Sequence, residues 1–131
     1  QSGQRVPQTK GEIIRTALES LALRYRWVFE RLEKLAGKRL DTLHIVGGGS
    51  QNYLLNQFAA NAVGRPVKAG PVEATAIGNI LMQMKASGDI ASLGEGRKLV
   101  AASFGLETYE PQDAASWDKA YQQFLEIAPH E

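Results

Sequence analysis

The stretch LHIVGGGSQNYLLNQF, residues 43–58, has the residue types and spacing of a ligand-binding turn. An apolar run ends in Gly47, Gly48 and Gly49, and a helix-like pattern follows. Glycine is the residue that loses most freedom when it is ordered, so a run of three indicates that something approaches the backbone closely. A strand that enters a glycine turn before a helix is a recurrent site for phosphates and nucleotides, because the first helix amides are free.

Three interpretations of this turn compete. A phosphate-binding P-loop needs Lys and then Ser or Thr after the last glycine, and Ser50-Gln51 does not supply them. A dinucleotide-binding loop would match Gly47 and Gly49, but its third glycine position is Asn52, whose side chain would hold the helix away from the strand. The third interpretation is a turn whose glycines only permit tight packing. The glycines alone leave that packing turn open.

Other polar residues give weaker signals. Glu73 and Thr75 would line a nucleotide cleft, or they simply begin a helix, where a carboxylate is favoured by the helix dipole. His44 and His130 have no partner at a catalytic spacing. The chain has no cysteine, which excludes disulfides, thiolate metal sites and cysteine nucleophiles. We therefore predict no catalytic residue and no metal ligand.

The composition is that of one globular domain. The chain has 131 residues, 44% of them hydrophobic, and a net charge of +1 without a basic cluster, which argues against a nucleic-acid partner. No apolar run approaches the roughly 18 residues of a membrane helix. The lack of cysteine fits the cytoplasm. The sequence starts at Gln1 rather than Met, and its loop-like start predicts a segment of a longer protein.

Helices occupy much of the chain. Thr9 and Glu12 form a capping-box pattern before a long amphipathic helix that should end near Gly37. Ser92 and Glu95 form a second such pattern. The inward apolar residues of the first helix are Ile14, Leu18, Leu21, Tyr25, Phe29, Leu32 and Leu35; Trp27, Trp117 and Tyr121 are further core candidates.

The central part predicts an α/β fold. Residues 42–46 indicate a buried strand of the parallel type, Ser50 is the expected N-cap of a helix that closes at Gly64, and residues 65–70 indicate a second strand. The next helix should end at Gly88 with Ile77, Leu81 and Met84 inward, and Gly78 within it predicts close helix packing. Residues 105–112 read as extended or loop, and a last helix, including Ala128, starts at Asp113 or Ser116.

Two strands make an incomplete sheet. A strand of the parallel type expects neighbours on both sides, and this chain offers one. An isolated chain would expose a sheet edge and the cleft faces of helices. We therefore expect it either to dimerise through the exposed edge or to dock on a missing part.

Several motifs occurring in order resemble one family. IVGGGSQNYLLNQFAANAVGRPV, then AGPVEATAIGNILMQ, with VPQTKGEI before them, are similar to the C-terminal part of the FGGY carbohydrate kinases. The resemblance covers residues 7 to about 127. One departure is Thr16, where the family usually has Ala or Ser. The resemblance implies a portion of the C-terminal domain of the actin-like ATPase (ribonuclease H-like) fold, with helices packed on an incomplete sheet.

The resemblance also implies a site. Gly48 and Gly49 would lay backbone against the adenine of ATP, and Asn52 would hydrogen-bond near the base, for which an amide offers both donor and acceptor. Residues 1–131 would then be the nucleotide-binding segment of the second kinase domain. The ketose substrate, the catalytic base and the Mg²⁺ ligands would belong to parts outside this chain, including an absent N-terminal sugar-binding domain.

Two rival functions stay open at this stage. A degenerate kinase remnant used for binding or assembly would have no nucleotide affinity. A dinucleotide-binding unit of an oxidoreductase would select NAD rather than adenine nucleotides.

Overall fold

A three-stranded sheet organises the chain in a computed structural model that describes residues 3–127. The strand order is β1-β2-β3, with β1 parallel and β3 antiparallel to the central β2. Ala128 and His130 lie outside the described residues. The elements are α1 (Lys10–Ala36), β1 (Leu43–Ile45), a 3-10 turn (Gly48–Gln51), α2 (Tyr53–Val63), β2 (Val67–Ala69), α3 (Ala74–Ser87), α4 (Leu93–Ser103), β3 (Glu107–Tyr109) and α5 (Ala114–Ile127).

The sheet has one strand more than the sequence predicted. Glu107–Tyr109 pairs with β2, so that Tyr109 lies opposite Val67. The prediction of a parallel strand near Leu43 is confirmed, since Leu43 pairs with Val67. The predicted burial of that strand is wrong within the described residues, because β1 lies at the sheet edge and His44 is exposed.

The ends of α1 follow the predicted capping pattern. The Thr9 hydroxyl accepts from Glu12 N at 3.2 Å, and the Glu12 carboxylate accepts from Thr9 N at 3.1 Å. Hydrogen bonds from the backbone of Gln8, and then of Thr9, lower the pKa of Glu12. Gly37 ends the helix in a left-handed conformation.

The apolar stripe of α1 is only partly covered. Phe29 is buried and Leu18 packs against the core, whereas Ile14 is 60% exposed and Leu35 is 85% exposed. The prediction that the whole stripe faces inward is therefore wrong in this chain. Leu21 and Leu32, which lie inside the stripe, are also 46% and 49% exposed.

The core lies on one face of the sheet, under α2. Alanines on α2 allow α1 and the sheet to approach closely, and Phe58 packs on Trp117 with ring centroids 5.3 Å apart. The predicted core roles of Trp27, Trp117 and Tyr121 are confirmed. The buried residues of the two core clusters are Ala22, Leu23, Leu55, Phe58, Ala62 and Tyr121, and Ala59, Ala60 and Val67.

A polar network joins α1 to α5 beside this core. Arg26 contacts Asp118 at 2.6 Å and Glu30 at 3.0 Å, and its guanidinium lies 4.1 Å from the centre of the Tyr121 ring. The Tyr121 hydroxyl donates to Glu30 at 2.8 Å. Burial, and then this hydrogen bond, raises the pKa of Tyr121 to about 12. α5 begins at Ala114, directly after Asp113, one of its two predicted start positions.

Helices α3 and α4 pack on each other. The predicted inward residues of α3 are half-buried, and Gly88 and Ser92 act as the C-cap and N-cap that the sequence predicted. The prediction that Gly78 permits close packing is wrong, because a Cβ there would have no described atom within 4 Å. The close approach occurs at Gly96, where a Cβ would lie 3.2 Å from Leu81 Cδ2.

Candidate functional site

Two loops meet at the carboxyl ends of the parallel strands β1 and β2. Gly47 N donates to Pro71 O at 3.0 Å, and Gly70 N donates to Ile45 O at 2.8 Å. These two hydrogen bonds fix the glycine loop after β1 against the loop after β2. In open α/β sheets, the carboxyl ends of the strands are where ligands bind.

The structure explains the glycine at position 47 differently from the glycines at positions 48 and 49. Gly47 has φ 77° and ψ −164°, a conformation that side chains disfavour, so the turn itself requires glycine there. Gly48 and Gly49 are exposed, neither has a positive φ, and a Cβ at either would meet no described atom within 4 Å. The packing-turn interpretation therefore accounts for Gly47 and leaves the open backbone of Gly48 and Gly49 unexplained.

Asn52 caps α2 in place of Ser50. Its Oδ1 accepts from Leu55 N at 3.1 Å, whereas its Nδ2 makes no hydrogen bond to the described residues. The predicted cap, Ser50, is 7% exposed and lies in the 3-10 turn, where its hydroxyl donates to Gly47 O at 2.7 Å. The Ser50 prediction is wrong because this extra turn delays the start of α2.

The cap of α2 thus uses the oxygen of the Asn52 amide but not its nitrogen. The sequence predicted that it offers both a donor and an acceptor to a base, and the cap already uses one lone pair of the acceptor. The free Nδ2 leaves a donor at the exposed start of the helix.

Asn56 is a site residue that the sequence reasoning missed. It is fully buried on α2, and its Nδ2 donates to Ser50 O at 2.8 Å, so it contacts the glycine loop from inside the protein. The available signal was an amide at the first position of the Asn56-Gln57 pair, within the apolar pattern of α2. Helical periodicity alone did not separate it from a solvent-facing position.

Glu73 and Thr75 follow the loop after β2 and are both exposed. Glu73 occupies the N-cap position of α3 and makes no side-chain capping hydrogen bond. This agrees with the interpretation as a helix start. A role at a nucleotide cleft stays a prediction.

The loops offer binding groups rather than reactive ones. Within residues 3–127, no group of three His, Cys, Asp or Glu side chains is placed to hold a metal ion. In the same range, no helix has the length and apolar character needed to cross a membrane. The groups that the loops expose are the peptide backbone of Gly48 and Gly49 and the amide of Asn52, which can form hydrogen bonds.

Comparison with known proteins identifies the family. The model of the FGGY family of carbohydrate kinases, C-terminal domain, matches residues 2–87, which include both loops and all three predicted ligand-contacting residues. The chain belongs to this family. The prediction of an FGGY carbohydrate kinase segment is confirmed.

Among FGGY relatives, the chain is similar to rhamnulokinases. It is 53% identical over 123 residues to that of Bacteroides thetaiotaomicron, covering 94% of this chain and 25% of the relative. The corresponding figures for Ligilactobacillus salivarius are 43% over 128 residues, 95% and 26%. For Bacillus subtilis they are 40% over 113 residues, 86% and 23%. The chain therefore spans about a quarter of the length of these relatives.

A solved structure supports the fold. The crystal structure of xylulose kinase from Rhodospirillum rubrum superposes with a TM-score of 0.71 at 21% identity, covering 95% of this chain and 25% of that one. The predicted class, an α/β portion of the actin-like ATPase C-terminal domain with helices on an incomplete sheet, is confirmed.

Proposed function

We propose that this chain is the adenine-nucleotide-binding C-terminal part of a kinase that phosphorylates L-rhamnulose to L-rhamnulose 1-phosphate. Residues 1–131 would form a segment of its second domain. The similarity to rhamnulokinases over more than nine-tenths of the chain supports this substrate. The sugar-contacting residues would belong to the rest of the enzyme.

The open backbone at Gly48 and Gly49 carries the proposal for ATP. These two residues have neither the backbone conformation nor the close neighbours that would require glycine, so a flat base can lie against their peptides. The free Nδ2 of Asn52 would donate to an acceptor on the base edge. Gly48, Gly49 and Asn52 are therefore the proposed nucleotide contacts.

Transfer of the phosphoryl group would depend on the remainder of the enzyme. That reaction needs groups that grip the phosphates, a carboxylate for Mg²⁺ and a base for the sugar hydroxyl. The described residues do not form a metal-binding group, so we propose that the Mg²⁺ ligands and the base lie outside this chain. The chain alone would be inactive.

A chimaera tests the proposed function. This chain replaces the matching 123 residues of the Bacteroides thetaiotaomicron rhamnulokinase, and phosphorylation of L-rhamnulose is measured with ATP as donor. We expect ATP-dependent activity that NAD does not inhibit. A folded chimaera without affinity for adenine nucleotides would instead indicate a non-catalytic remnant, and competition by NAD would indicate a dinucleotide site.

Gly48→Leu in the chimaera tests the loop itself. The side chain would occupy the space proposed for adenine, and we expect KM for ATP to rise about tenfold or more, the effect of losing about 1.4 kcal/mol of binding. Gly105→Leu is the matched control, since Gly105 is another exposed glycine without a described atom within 4 Å of a Cβ. Both variants should fold. An unchanged KM for ATP in Gly48→Leu would indicate that the loop is only a packing turn.

A further inference from the structure

The glycine loop rests on a buried amide. Asn56 has 0% of its surface exposed, and its Nδ2 donates to the carbonyl of Ser50 at 2.8 Å. Ser50 in turn donates through its hydroxyl to Gly47 O at 2.7 Å and through its backbone N–H at 3.0 Å. Asn56 therefore holds the carbonyl at one end of a turn whose other end is fixed by Ser50, with Gly48 and Gly49 between them.

An asparagine amide at this buried position costs free energy of folding. The Oδ1 of Asn56 is buried and has no hydrogen-bond partner among the described residues. A buried polar atom without a partner loses the hydrogen bonds it would make to water, and an apolar side chain of similar shape would avoid that loss. The hydrogen bond that the amide does make, from Nδ2 to Ser50 O, is directed at the glycine loop.

No described neighbour of Asn56 donates a hydrogen bond to its Oδ1. The Tyr109 hydroxyl on β3 lies beside the amide but donates to the Glu107 carboxylate. The pKa of Tyr109 is raised, chiefly by that hydrogen bond and then by burial, and the Asn56 amide acts in the opposite direction. Asn56 thus lies against Tyr109 on β3 and donates through Nδ2 to the glycine loop.

We propose that Asn56 is a positioning residue for nucleotide binding, which fixes the Ser50 carbonyl and so orients the Gly48 and Gly49 peptides toward the base. This inference rests on the function proposed above. It adds that the affinity for ATP depends on a side chain that the nucleotide does not touch.

The test compares two leucine substitutions on the same helix in the active chimaera. Asn56→Leu removes the donor to Ser50 O. Asn61→Leu is the matched control, because Asn61 is 8% exposed and its Oδ1 instead accepts from Gln57 Nε2 and Gln112 N, both at 2.8 Å and both away from the glycine loop. KM for ATP, KM for L-rhamnulose, kcat and the melting temperature are measured for each.

We expect Asn56→Leu to raise KM for ATP about fivefold, the value of one net hydrogen bond, with KM for the sugar changed less than about twofold. Asn61→Leu should lower the melting temperature without raising KM for ATP. Equal effects of the two substitutions on KM for ATP, or an unchanged KM in Asn56→Leu, would overturn the positioning role.

A second variant and the ATP binding of the unsubstituted chimaera complete the test. If Asn56→Leu does not fold, Asn56→Ala removes the same donor with a smaller side chain, and the same expectations apply. Failure of the unsubstituted chimaera to bind ATP would refute the proposed function. A chimaera that binds ATP normally while Asn56→Leu behaves like the parent would refute the positioning role alone.

Discussion

The two faces of the sheet differ in how completely this chain covers them. Leu43, Ile45 and Val67 face α2 and contribute to a closed core with α1 and α5. On the other face, His44 and Lys68 border a groove of about 670 Å³ beneath α3 and α4. α3 has no buried residue and α4 has only Gly96.

The covered face accounts for the stability of the chain, and the open face is where we expect association with other polypeptide. The α2 face supplies the buried apolar area that lets the chain fold, because hydrophobic stabilisation is roughly proportional to that area. The open face combines the polar strand residues His44 and Lys68 with an apolar groove, and the chain spans about a quarter of its relatives. We propose that the remaining polypeptide covers this face and the β1 edge in the complete enzyme, and that dimerisation through the edge is the alternative.

The largest expected effect comes from the same substitution on the two faces. Phe58→Ala should lower the free energy of unfolding by about 3–5 kcal/mol, because Phe58 is 7% exposed and packs on Trp117. Phe104→Ala, beyond α4, should change it by about 0.5 kcal/mol or less, since Phe104 is 41% exposed. Urea unfolding of the 131-residue chain measures both. Similar losses would contradict the contrast between the faces.

A smaller effect is expected in the polar network of the closed face. Tyr121→Phe removes the hydrogen bond to Glu30 and should cost about 1 kcal/mol at pH 7. Because the folded-state pKa is raised to about 12, the neutral hydroxyl stabilises the fold below pH 10, and this contribution is lost as the pH rises from 10 to 12.

The difference in unfolding free energy between the parent and Tyr121→Phe should therefore shrink across that pH window. Taking the difference cancels the titration of lysines common to both chains. A difference that stays constant from pH 8 to 12 would show that Tyr121 gains nothing from its neutral form.

The smallest effect concerns the two glycines of the open face. Gly78→Ala should raise the free energy of unfolding by about 0.5–1 kcal/mol, because alanine is the better helix former and no described atom obstructs its Cβ. Gly96→Ala should gain less, since its Cβ would lie 3.1 Å from Ile90 Cδ1 and 3.2 Å from Leu81 Cδ2. A larger gain at Gly96 than at Gly78 would mean that α3 and α4 separate readily.

Much of the fold was predictable because its signals are local. The capping residues Thr9 and Ser92 and the terminal glycines Gly37, Gly64 and Gly88 mark helix ends through hydrogen bonds and backbone conformations within a few residues. β3 was not recognised as a strand because its three residues gain their order from pairing with β2, about 40 residues earlier in the chain.

The site was predictable in part for the same reason. The glycine run is visible in sequence, and the family resemblance predicted ligand contacts at Gly48, Gly49 and Asn52, which the structure leaves open to solvent. The sequence predicted Ser50 as the N-cap of α2, whereas Asn52 is the cap in the structure, because a 3-10 turn precedes the helix. Serine and asparagine are both good N-caps, so residue type did not reveal that turn. The burial of Asn56 depends on how α2 packs on β3, which no local pattern encodes.

The hydrogen bond from Gly47 to Pro71 has a consequence for the complete enzyme. It joins the loop proposed to hold adenine to the segment that leads into α3, the helix on the open face. Any contact that shifts α3 therefore acts on the same backbone as the nucleotide. By thermodynamic linkage, if closure over the open face tightens ATP binding by some factor, bound ATP favours closure by that same factor.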